Sequence, residues 1–129
     1  MTNNDLKNKF LEEIRISLNY TYFKEKGNIF KLSNKTSLYV KERGTHKNWG
    51  WGVRKSQIER LKTKQDKWCL ILLSCNANYC FTSDEFDNFI KTEKDLTFSQ
   101  GEYKVNKSVM KKYDCNKYCN INELNAKII

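Results

Sequence analysis

The chain has 129 residues, a formal net charge of +9, 39% apolar side chains and five cysteines. Such a length makes one domain that buries roughly two thirds of its unfolded surface. The longest apolar run, Trp68 to Leu73, is of strand length and too short to span a membrane, while the basic excess directs attention to polyanionic partners.

Leu6, Phe10, Leu11, Ile14 and Leu18 recur at helical spacing behind Thr2 and Asp5, which stand at capping-box spacing, so the chain is expected to open with an amphipathic helix. The N-terminus MTNNDLKNKF has no apolar stretch behind its charges and does not read as a secretory signal. The expected location is therefore the cytoplasm, where Cys69, Cys75, Cys80, Cys115 and Cys119 would be reduced. Asn28 to Ser33 and Ser37 to Glu42 read as a hairpin. Ser56 with Glu59 three residues later is a capping-box pattern for a short helix with Ile58 and Leu61 inward. Trp68 to Ser74 is apolar on both parities, as a central strand covered on both faces should be. Tyr79 to Phe81 is expected to return as a strand, Thr82 and Glu85 to cap a helix carrying Phe86, Phe89 and Ile90, and Glu102 to Val105 to form a further strand. Ile121, Leu124 and Ile128 mark a final helix. The expectation is a single α+β domain over residues 1–129, with a mixed sheet of about five strands flanked by helices.

The charge is unevenly placed. Between Lys35 and Lys67 ten Lys/Arg face only Glu42, Glu59 and Asp66, giving +7 of the total +9 in about a quarter of the chain, while the segment after it is balanced. Aromatics and glycines are interleaved with these cations, so the segment reads as a basic, Trp/Gly-rich loop that leads into the short helix. Nucleic-acid surfaces use Lys and Arg for phosphates, flat side chains for bases, and glycines where backbone amides approach phosphate. Phosphate contacts are expected from Lys41, Arg43, Lys47, Arg54, Lys55 and Arg60, with His46 and Asn48 in the same stretch. Tyr39, Trp49 and Trp51 are the stacking candidates. If Trp49 and Trp51 lie in an extended segment they share a face, so both pack inside or both meet a ligand. A helix opening at Ser56 would add an N-terminal dipole suited to phosphate.

Helix, hairpin, helix, strand is also the order of the PD-(D/E)XK nuclease core found in many restriction endonucleases, which the chain resembles in topology and hydrophobic rhythm from Leu6 to Leu73. The resemblance implies an acidic residue on one strand and Glu-x-Lys on the next, with the carboxylates holding Mg²⁺ and the lysine serving the attacking water. Here the corresponding strand reads Leu38-Tyr39-Val40-Lys41-Glu42-Arg43. Period-two alternation sends Lys41 and Arg43 to one side and Glu42 to the other, and Asn28 to Ser33 contributes no Asp or Glu. The sequence thus resembles a non-catalytic version of that core. Through WGWGV, KWCLILLS, YCF and GEYKVN it also resembles small domains that accompany bacterial restriction systems, which implies a DNA-handling context.

No metal or cofactor site is expected. Cys75-x4-Cys80 and Cys115-x3-Cys119 have marginal spacing for a zinc knuckle, Cys75 and Cys80 straddle a turn, and Cys69 and Cys75, in or beside the apolar strand, read as small hydrophobes. His46 is the sole histidine, and neither a phosphate-binding glycine loop nor a dinucleotide fingerprint occurs. The leading reading is a nucleic-acid-binding domain, with DNA preferred over RNA, in a restriction or phage-defence setting where a catalytic protein partner would supply any chemistry. One alternative is a divergent Mg²⁺-dependent nuclease using Glu12 or Glu13 with Glu42; another is a basic interaction protein, or inhibitor, that docks an acidic protein.

Overall fold

The computed structural model describes residues 3–43, 50–64, 67–75 and 77–129. The apolar stripe of the first segment folds as α1 (Asn3–Ser17), which buries Phe10, Leu11 and Ile14. The expected cap residue Thr2 lies outside the described residues.

A three-strand meander follows: β1 (Tyr22–Lys24), β2 (Ile29–Leu32) and β3 (Ser37–Arg43), paired antiparallel in order. The glycine-free β2–β3 turn closes because Lys35 takes a left-handed φ of 71° and the Asn34 side-chain oxygen accepts the Thr36 N–H at 3.0 Å. The chain next forms β4 (Gly50–Arg54) and α2 (Lys55–Thr63), then β5 (Trp68–Ser74). β5 runs parallel to β3 in unbroken register from Ser37 opposite Trp68 to Arg43 opposite Ser74, and every residue of it is buried, as its two-sided apolar pattern requires. β6 (Asn78–Thr82) returns antiparallel to β5. It leads into α3 (Ser83–Thr92), where Thr82 and Glu85 form the expected reciprocal capping box. β7 (Thr97–Ser99), β8 (Glu102–Asn106), α4 (Lys107–Met110), a 3-10 turn at Asp114–Asn116, β9 (Lys117–Tyr118) and α5 (Ile121–Ile128) complete the described elements.

The strands form two sheets. The larger is mixed, in the order β1-β2-β3-β5-β6-β9, and a smaller antiparallel one runs β4-β8-β7. The α+β class with a mixed sheet is therefore as expected, but the sheet is longer than the sequence indicated and a second sheet stands beside it. One face of the large sheet packs Leu38, Val40, Ile71 and Leu73 against Phe10, Leu11 and Ile14 of α1 and Leu124 and Ile128 of α5. The other face packs Tyr39, Leu70, Leu72 and Phe81 against Ile58 and Leu61 of α2, Phe86 and Phe89 of α3, and Trp51, Val53 and Val105 of the small sheet. The last turn of α5 is tied to the β2–β3 turn, since the Ile128 carbonyl accepts bonds from Asn34 Nδ2 and Thr36 Oγ1, both at 3.0 Å.

The basic segment differs from the sequence reading in two respects. Gly50–Arg54 is a strand rather than a loop, and α2 starts at Lys55 with Arg54 as N-cap and no side-chain cap bond. Ser56 does not cap. The Arg54 N–H goes to the Tyr39 hydroxyl at 3.1 Å and the Lys55 N–H to the Gly101 carbonyl at 3.1 Å, so these first amides of the helix are already occupied.

Candidate nucleic-acid interface

Period-two alternation along β4 buries Trp51 and Val53 and turns Gly50, Gly52 and Arg54 the other way. Their partners on β8 are Asn106, Lys104 and Glu102, which share that side because directly paired residues of antiparallel strands face together. Beside them the end of β3 presents Lys41 and Arg43, both half-buried. Arg43, Gly50, Gly52, Glu102, Lys104 and Asn106 line a cleft of about 360 Å³. Side chains there are few because two of its positions are glycine. A methyl group on Gly50 would stand 2.9 Å from the Val105 carbonyl oxygen, so β4 and β8 approach closely only with glycine at that position.

The electrostatics of the cleft centre on one carboxylate. Glu102 accepts a hydrogen bond from Lys104 Nζ at 2.7 Å and lies 3.8 Å from Arg54 Nε. The Lys104 bond, reinforced by the charges of Arg54 and Lys41, holds the Glu102 carboxyl below the usual carboxylate range against a smaller opposing effect of burial. Burial pushes the Lys41 ammonium down. The Glu102 charge opposes that change, and the Arg54 charge adds to it.

The structure separates the expected contact residues into three groups. Arg43, Arg54 and Lys41 come together around the cleft, and Lys55, with Nζ 5.7 Å over the Phe98 ring, continues from Arg54 at the start of α2. Arg60 sits half-buried further along α2. His46, Lys47, Asn48 and Trp49 lie outside the described residues. Tyr39 and Trp51 are corrections: both are core. Tyr39 is 1% exposed with its hydroxyl fixed by Arg54, and burial pushes its phenol up. Trp51 is 4% exposed, donates its indole N–H to the Leu73 carbonyl at 2.9 Å and meets Tyr79 edge-on at 6.0 Å. Neither ring is open to a base. Glu102, Lys104 and Asn106 of β8 were not among the expected site residues. Their alternation with Tyr103 and Val105 marked them as the exposed parity of a strand, but only the pairing with β4 shows what they border.

The metal-binding slots of the nuclease resemblance do not fit Mg²⁺. Tyr39, Lys41 and Arg43 share one side of β3, and the residue paired with Tyr39 is the buried Ile29. Glu42 turns to α1, where it accepts the Lys7 N–H at 2.8 Å and lies 3.7 Å from Lys7 Nζ. Glu12 is paired with Arg15. Among the described residues no group of three or more His, Cys, Asp or Glu is placed to hold a metal ion. Cys69 and Cys80 are buried, whereas Cys75, expected with Cys69 as a small core residue, is exposed because it lies just past the end of β5; Cys115 and Cys119 are exposed too, and all five are free thiols. The Cys69 hydrogen bond, with burial, pushes the Cys80 thiol up, which keeps it unreactive. Among the described residues no helix is long and apolar enough to cross a membrane.

The solved structure of Hjc, a Holliday junction resolvase from the archaeal hyperthermophile Archaeoglobus fulgidus, matches with a TM-score of 0.55 over 98% of each chain, at 15% sequence identity. At that identity the likeness is one of fold. No family model matches the sequence, and no curated protein matches it.

Proposed function

We propose that the chain binds nucleic acid, DNA in preference to RNA, along the cationic border of the β4–β8 cleft. The carrying observation is convergence: Lys41, Arg43 and Arg54, from the segment that holds +7 of the charge, meet Lys104 from a distant strand around a cleft with a glycine-lined side. Arg43 and Lys104 would contact phosphate within the cleft, and Arg54, Lys55 and Arg60 would extend the track along α2. His46, Lys47, Asn48 and Trp49 belong to the proposed surface on sequence grounds. The resolvase likeness supports the choice of DNA, since the neighbour's name specifies a DNA junction. A restriction or phage-defence setting is the context we infer, with a partner protein supplying strand cleavage.

The test is fluorescence anisotropy with a labelled duplex across a KCl series. With about five phosphates contacted, the slope of log affinity against log salt should be roughly −4 to −5. A flat response overturns the proposal, and equal or tighter binding of an RNA duplex overturns the preference for DNA.

A second reading, a divergent nuclease, draws on the same neighbour. It requires carboxylates other than the Lys7-paired Glu42. Incubation of supercoiled plasmid with the protein and Mg²⁺ or Mn²⁺ should leave the DNA intact; cleavage that copurifies with the protein through several columns would establish this second reading.

A further inference from the structure

Among the described residues Glu102 is the one acidic residue that lines the cleft, and three cations surround it. Its position is unusual for a surface carboxylate because it lies over a strand rather than reaching into solvent: a methyl group on Gly52 would stand 2.5 Å from Oε1. The absence of a side chain at position 52 makes room for an anion against the β4 backbone. Lys104 supplies a hydrogen bond at 2.7 Å, Arg54 a second cation at 3.8 Å, and the half-buried Lys41 a third charge. Two oxygens of one carboxylate, held by a lysine and an arginine over a bare stretch of backbone, reproduce the charge and hydrogen-bonding pattern of a phosphodiester bound by protein.

We infer that Glu102 fills a seat for one backbone phosphate of the nucleic acid, and that binding requires the carboxylate to swing out so that Lys104 and Arg54 are handed to the phosphate. The inference rests on the proposed nucleic-acid binding and adds a built-in competitor to it. In the free protein the carboxylate neutralises the seat; in the complex it is displaced into solvent, which a surface glutamate on a strand does by rotating its own side-chain torsions. The competitor lowers affinity for all sequences alike, because phosphate contacts carry no base information. It also discriminates against isolated anions: a single small anion must expel the carboxylate unaided, whereas a polymer already held by Arg43, Lys55 and Arg60 presents its next phosphate at high effective concentration.

The experiment compares the parent with Glu102→Gln, which keeps the side-chain shape and leaves a carbonyl oxygen for Lys104. Glu93→Gln serves as the charge control, since Glu93 is held by Lys112 at 3.0 Å outside the cleft and the change in net charge is the same. Binding of a labelled duplex is measured by anisotropy from 50 to 300 mM KCl (roughly the range over which counterion release is resolved). E102Q should tighten binding roughly tenfold at the lower salt, the scale of one charge-assisted contact regained. Its log–log slope should stay within about 0.5 of the parent's, since the same phosphates are neutralised in both complexes and only the competing carboxylate is gone. E93Q should gain no more than about twofold through net charge alone. Adding Gly52→Ala to E102Q puts a methyl group into the seat and should cancel the gain. If the parent binds with a steep salt dependence but E102Q gains no more than E93Q, or the gain survives Gly52→Ala, the seat is overturned and the wider binding surface stands. If neither the parent nor E102Q binds duplex or single strand, the binding proposal falls and the seat with it.

Discussion

At the scale of single residues, the tryptophan and the tyrosine of the basic segment are what hold it in place. Trp51 ties the small sheet to the end of β5 through its bond to Leu73, and the Tyr39 hydroxyl ties the start of α2 to β3. Replacing Trp51 with Ala removes a buried aromatic ring and strands the Leu73 carbonyl. Urea titration should then show a loss of about 3–5 kcal/mol. Tyr39→Phe should cost about 1 kcal/mol, because it leaves the Arg54 N–H unpaired in a half-buried place. If Trp51→Ala instead kept the parent's stability and lost only nucleic-acid binding, the ring would act as a ligand contact and not as the tie between the two sheets. Parity along a strand put Lys41 and Arg43 on one side of β3 and Glu42 on the other, as the structure has them. It could not say which side another element covers, and that decides whether an aromatic grips a base or plugs a core.

At the scale of elements, legibility followed how local the determinants were. β5 and the β6–α3 unit could be read directly, because an apolar run on both parities and a Thr-x-x-Glu cap act within a few residues. β4 could not, since two glycines in five residues argue against a strand and its partner β8 lies 48 or more positions away. The three-residue strands β1 and β7 carry too few side chains to show a period. The caps make the contrast measurable. Thr82→Ala should cost about 1 kcal/mol, because its hydroxyl oxygen accepts the Glu85 N–H. Ser56→Ala should change stability by less than about 0.5 kcal/mol, since Arg54 occupies the cap position. Equal losses in the two variants would show that Ser56 caps after all. The same box gives an acid response. Burial raises the Glu85 carboxyl, but the Thr82 N–H and Lys127 together outweigh it and hold the group below its ordinary value. A depressed folded-state value means that the stabilisation is complete above the unfolded carboxylate range, about pH 4.3, and is lost as pH falls through the folded value. Thermal melts of the parent should therefore fall from about pH 5 downward, and Glu85→Gln should flatten that limb and leave the neutral-pH slope alone.

At the scale of the whole molecule, the +9 charge matters less than which cations are already spoken for. Lys62 is paired with Asp87 at 2.9 Å, Lys64 with Glu25 at 2.5 Å, and Lys112 with Asp95 at 2.6 Å. These lysines add to the net charge, yet each has a carboxylate close enough to cancel its field at a Debye length of about 8 Å. The cleft cations share a single carboxylate among three of them, so the local excess there is larger than any count along the chain conveys. Two triple variants with identical net charge separate the effects. Neutralising Arg54, Lys55 and Lys104 to Gln should weaken duplex binding by roughly two orders of magnitude at low salt and reduce the salt slope by nearly three, about 0.9 for each phosphate contact removed. Neutralising Lys62, Lys64 and Lys112 should leave the slope within about 0.5 of the parent, because those charges release no counterions from DNA. The comparison holds fold and total charge together: a field spread over the whole surface would weaken both variants equally, and only a localised interface would separate them.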